Sequence, residues 1–192
     1  MAAEQTRSRP QWAAELLGQF DAADRDATRV ASGLTLAQLN WRQADDQWSV
    51  GQCLEHLAMA NEVYLPAIER ALAGRPVGVV QEVTPGWLGR WFLRNVIEPT
   101  PTTARRRAPR EIKPPVRVDG AILDRFHRTN ANACDVVRRA SRLDVNHIRF
   151  RNPFVPLIRF TIGTGFVILA THQRRHLLQA ERIRRASGFP AS

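Results

Sequence analysis

Three of the five histidines in this chain could act together. His172 and His176 stand four residues apart within TIGTGFVILATHQRRHLLQAERI. In a helix that spacing stacks them on one side. The side is apolar, because Gly165, Ile168, Leu169, Ala180 and Ile183 recur with the histidines and Gln179 at the period of a buried stripe. His56 lies in a second amphipathic segment, WSVGQCLEHLAMANEVYL, near Cys53, Ala60 and Val63. Two imidazoles on one helix and one on another form a common cradle for a divalent metal inside a helical protein, with positions left for water or substrate. A histidine on an apolar face is also an ordinary core residue when its nitrogens reach backbone carbonyls. Against that reading, each buried imidazole nitrogen left without a partner costs about 1–3 kcal/mol. One shared cation would satisfy the nitrogens together.

No carboxylate is an obvious general base for such a site, since the helical period turns Glu55 and Glu62 off the His56 face. Cys53, one turn before His56, is a lesser candidate as fourth ligand or nucleophile. His127, next to Phe126, and His147, in a linker, read as structural.

Four long helical patterns are available to position these residues. The first covers Gln11 to Ala31 and stops at Ser32-Gly33, and Thr35 then caps a short turn, TLAQLN. The second opens at Ser49, with Gln52 completing a capping box, and ends at Gly74-Arg75-Pro76; Pro66 inside it predicts a kink near Glu62. The third starts near Asp119 and continues to about Leu143. The fourth follows a linker containing Asn152-Pro153 and Pro156 and runs from about Thr161 to Ser187, where Gly188-Phe189-Pro190 stops it. No segment reads convincingly as a strand. Residues 77–117 differ from the rest: a short apolar helix, GWLGRWFLRNVI, precedes EPTPTTARRRAPREIKPP, which carries five of the twelve prolines. Such a stretch is an insertion between the second and third long helices, either a cover over a site or a loop. Trp87 and Trp91, one turn apart, are read equally as a ligand-facing lid or as core across the open end. The expected architecture is all-α, a four-helix bundle forming a single domain over 1–192.

Composition is that of an ordinary soluble globular protein, with 44% hydrophobic residues and a mean hydropathy of −0.32. No apolar run suits a signal peptide or a transmembrane segment, so a cytoplasmic location is expected. Cys53 and Cys134 do not make a disulfide framework. Net charge is +10, and Lys113 is the only lysine. Between Arg90 and Arg117 there are eight basic residues against Glu98 and Glu111, which could attract anionic ligands, nucleic acid or a membrane surface. Nucleic acid is the weaker choice, because Trp87, Trp91 and Phe92 precede the basic run instead of interleaving with it.

Trp48-Ser49 opening a helix with Glu55-His56-Leu57, followed much later by His172-Gln173-Arg174-Arg175-His176-Leu177 and Gln179, resembles the DinB-like superfamily over essentially the whole chain. The resemblance implies an up-down-down-up four-helix bundle, often dimeric, with a three-histidine site for a divalent metal, zinc or nickel being typical. The ligands fall on His56, His172 and His176, with water completing the shell. Gln173 departs from many relatives, which carry Glu there; at roughly 100° from His172 it is expected to face away from the site. Relatives transfer low-molecular-weight thiols, isomerise with thiol cofactors or act as hydrolases. The leading expectation is therefore a metal-dependent enzyme of that kind acting on a small-molecule substrate. The cationic residues Arg105, Arg106, Arg107 and Arg110 would help dock an anionic thiol. The alternative is a non-catalytic, stress-associated bundle that binds a metal or small ligand. A nucleic-acid-associated helical protein is third.

Overall fold

Caps written into the sequence start two of the long helices. Ser49 accepts from Gln52 N while the Gln52 side chain accepts from Ser49 N, and Thr161 accepts from Thr164 N. The computed structural model describes residues 9–98 and 108–191. Its long helices are α1 (Gln11–Ala31), α3 (Val50–Leu72), α5 (Ile122–Ala140) and α6 (Ile162–Arg184). A capping box at Thr35 opens the single turn α2 (Leu36–Leu39). The chain leaves α1 through Gly33 at φ 77°, a left-handed conformation that glycine adopts without a Cβ clash. Asp119 acts slightly before the third helix, where its carboxylate accepts from Ala121 N. The helix α3 continues unbroken through Pro66.

Each long helix packs on two others. The α3 helix lies against α5 and α6, and α1 lies against the same pair, while α1 and α3 touch little. Directions follow from side-chain partners. Glu55 and Glu62 pair with Arg125, and Glu69 with Arg139, so α3 and α5 run the same way. Trp12 stacks on Phe166 and Arg29 reaches Glu181, so α1 and α6 are parallel. Asn130 donates to the Phe20 carbonyl while His127 sits at Asp24 and Thr28, which sets α1 antiparallel to α5.

Two apolar clusters fill the interior. One gathers Trp12, Phe20, Ile68, Val137, Phe166 and Leu169, the other Val30, Leu54, Leu57, Ile122, Phe126 and Leu177. Burial on this scale supplies the main drive for folding, about 25 cal/mol per Å² of apolar surface. Between the clusters along α3 and α6 lies a polar layer of His56, Asn61, Asn130, Gln173 and His176, all buried.

Two expectations are corrected. The linker after α5 contains a hairpin, with β1 (Arg149–Arg151) antiparallel to β2 (Arg159–Thr161) and Phe150 opposite Phe160. Strands this short give an alternating pattern only three residues long, too brief to stand out beside Pro153 and Pro156. Trp87 and Trp91 are not core, being 75% and 54% exposed. They lie on α4 (Trp87–Phe92), which continues as a π turn through Leu93–Ile97. Its inward side is Gly89, Leu93 and Ile97. At Gly89 α4 approaches α6 so closely that a Cβ would lie 2.8 Å from the Thr164 methyl. Among the described residues no helix is long and apolar enough to cross a membrane.

Candidate metal centre

His56 is two turns into α3, between Leu54 and Leu57, and points at α6. His172 and His176 share one side of α6 and meet it. The ring centroids form a nearly equilateral triangle, 4.8 Å from His56 to His172, 4.6 Å from His56 to His176 and 4.7 Å from His172 to His176. One ligand nitrogen from each ring lies within 4.8 Å of the others. All three predicted residues are therefore brought together. His56 and His176 are buried and His172 half-buried.

Neighbouring groups decide which nitrogen each ring offers. His56 Nδ1 donates to the Ile112 carbonyl at 2.7 Å, and His176 Nδ1 donates to Gln179 Oε1 at 3.0 Å. Both rings thus carry the proton on Nδ1 and turn an Nε2 lone pair inward. His56 Nε2 lies 3.0 Å from His172 Nε2, so without a cation His172 holds that contact by donating its own Nε2 proton. Burial keeps all three rings neutral. Desolvation pushes His56 down to about 4, with the Arg175 charge adding to the shift and the Ile112 bond opposing it. His172 and His176 are held well below the ordinary histidine range, first by burial and then by the neighbouring rings and Arg175. Neutral imidazole is the form that binds metal.

The donor set suits a divalent cation. Metal–nitrogen bonds of about 2.0–2.1 Å in a tetrahedral site put two nitrogens roughly 3.3 Å apart. The His56–His172 spacing is close to that value already. One proton serves the His56–His172 contact, and a cation among the three rings would satisfy the inward lone pairs together.

Trp48 covers the cluster, with its ring centroid 4.7 Å from that of His56 and 5.5 Å from that of His176. The insertion is strapped over the same place by side chains of α3 and α6. Besides the His56 bond to Ile112, Gln52 donates to the Pro115 carbonyl at 2.8 Å and Arg175 to the Val96 carbonyl at 2.8 Å. A backbone acceptor such as Ile112 leaves no trace in residue type. Gln179 was legible as part of the stripe, three residues after His176.

Other candidates fall elsewhere. Glu55 and Glu62 are taken by Arg125, so neither carboxylate serves the imidazoles. Cys53 is fully buried in the second apolar cluster, where desolvation pushes its thiol up and keeps it protonated; it is not one of the clustered ligands. Gln173 turns into the amide layer, donating to Asn130 Oδ1 at 2.9 Å and Asn61 Oδ1 at 3.4 Å. His127 pairs with Asp24 and His147 with Asp144, both structural. Arg110 is exposed, while Arg105, Arg106 and Arg107 lie outside the described residues.

A family model described as the DinB superfamily matches residues 19–180. The chain belongs to the DinB superfamily. The match contains all three clustered histidines and the whole insertion between α3 and α5. No curated protein and no solved structure matches the chain.

Proposed function

We propose that this DinB-superfamily protein binds one divalent metal ion through His56, His172 and His176 and acts as a metal-dependent enzyme, a low-molecular-weight thiol transferase or a hydrolase. The observation that carries the reading is the convergence of three neutral imidazoles, two of them with Nδ1 already committed to Ile112 and Gln179. A bound cation would supply Lewis acidity, lowering the pKa of a coordinated water or thiol. The chain's own residues orient and enclose. Ile112 and Gln179 fix two tautomers, Trp48 excludes water from one flank, and Arg175 contributes a positive field that favours an anionic ligand. Because Glu55 and Glu62 are held by Arg125, proton transfer falls to the activated ligand itself or to water.

The reading includes the up-down-down-up four-helix bundle, which the helix directions support, with 1–192 as one domain and 77–117 as its insertion. It also includes zinc or nickel as the ion, a small anionic thiol as substrate or cofactor, a homodimer and a cytoplasmic location. The lack of a carboxylate at the imidazoles among the described residues favours one alternative, a bundle that holds a metal or ligand without turnover. Elemental analysis of the purified protein and of His172→Ala tests the site, and equal metal in both would end the proposal. Thiol transfer and ester hydrolysis assayed with and without chelator separate enzyme from binding protein. Chelator-sensitive turnover is expected, and full metal loading without turnover selects the alternative.

A further inference from the structure

The hairpin places two like charges face to face. Arg151 and Arg159 are direct cross-strand partners, an arrangement that disfavours the pairing of these strands. Arg149 is exposed on the same side of β1, since Phe150 and Phe160 take the buried side. No acidic residue occurs from His147 to Thr161. Among the described residues none of these three arginines has an ion-pair partner. The hairpin thus keeps a cationic outer side without an acidic partner among the described residues, one that attracts an anionic surface.

The same part of the surface exposes large apolar side chains. Leu157, in the hairpin loop, is 97% exposed. That loop is built: the Asn152 carbonyl oxygen of the side chain accepts from Phe154 N and Val155 N, and its amide donates to the Tyr64 hydroxyl. Leu157 therefore projects from an anchored support. Beside β2 lies α4, joined through Phe92 against Phe160 at 5.1 Å. Its outward stripe reads Trp87, Arg90, Trp91 and Arg94, all exposed, with no acidic residue from Trp87 to Ile97.

We infer that α4 and the hairpin form a docking surface for an anionic lipid bilayer, on which the protein sits peripherally. Arginines clustered with tryptophan and leucine suit a headgroup layer, where cationic heads meet lipid phosphates and apolar tips enter the acyl boundary. A nucleic acid would satisfy the arginines but gives no reason for Leu157 to be held out in water, so the bilayer is the occupant favoured by both observations.

Sedimentation of the whole protein with phosphatidylglycerol-containing vesicles tests this. At low salt it should bind these, bind neutral phosphatidylcholine vesicles far less, and show a blue-shifted tryptophan emission that Trp87→Ser/Trp91→Ser abolishes. Arg151→Gln/Arg159→Gln should weaken association roughly 30-fold, about fivefold per arginine. It should not lower the thermal midpoint, because the substitution relieves repulsion within the hairpin; a purely structural role for these arginines predicts a lower midpoint. Absence of vesicle binding at low salt, equal binding to neutral vesicles, or unchanged binding in the arginine variant would overturn the inference. So would binding of a duplex oligonucleotide, or self-association, through this surface in place of lipid.

Discussion

Five residues apart on α3, two buried polar groups meet the same helix and resolve themselves in opposite ways. At Asn61 the partners are amides. Gln173 donates to Asn61 and Asn130, Asn130 donates to the Phe20 carbonyl, and Asn61 donates to Thr129 Oγ1 at 3.3 Å. Donors and acceptors alternate, so the layer closes on itself and leaves only Gln173 Oε1 without a partner among the described residues. At His56 the partners are the imidazoles of His172 and His176, and the outer nitrogens of His56 and His176 are already spent on Ile112 and Gln179. Their inner nitrogens converge, and one proton serves only one contact. The amide layer is a structural joint and the imidazole layer a group of nitrogens that could hold a metal ion, though both lie on one helix pair.

His172 separates the two layers most directly. Replacing it with alanine should remove a ligand, and metal affinity measured by competition titration should fall by more than the roughly 10- to 100-fold that an outer partner contributes. Gln173→Leu, in contrast, should leave metal content intact.

Acid should expose the second difference. Imidazoles titrate near neutrality and amides do not. In metal-free protein His56 has a folded pKa of about 4 against an unfolded value of about 6.5. The unfolded chain therefore binds more protons between these values. The contribution is fully present above about pH 6.5 and is lost as pH falls towards 4, amounting to about 3 kcal/mol for this group. Thermal midpoints recorded in chelator across that range should drop, and His56→Gln should flatten the decline.

Gln173→Leu should cost about 1–3 kcal/mol in denaturant titration, because Asn61 and Asn130 each lose a donor. Replacing all three amides with leucine should cost less than the sum of single replacements. The smallest effect is expected at Gln179→Ala, which frees the His176 tautomer and should weaken metal affinity about tenfold by competition titration.

The sequence made the imidazole cluster readable because histidine is a rare residue type and two of the three sit at helical spacing on an apolar stripe. The helices were equally readable where caps mark them, at Ser49, Thr35 and Thr161, and at Gly33 where α1 ends. The hairpin escaped because its alternation is three residues long on each strand. The outward turn of Trp87 and Trp91 escaped because α4 has apolar residues on both sides, and only tertiary contact with Thr164 and Phe160 decides which side is buried. The Ile112 carbonyl is invisible to any reading of side chains.

That carbonyl has a further effect. Through it, the ring that would help hold a cation also grips the insertion, so in the proposed site occupancy of the centre and closure of the segment above it would be a single thermodynamic quantity seen from two places. Whatever peels residues 110–112 away also frees the His56 proton to wander, and whatever fills the centre makes that peeling harder by the same amount.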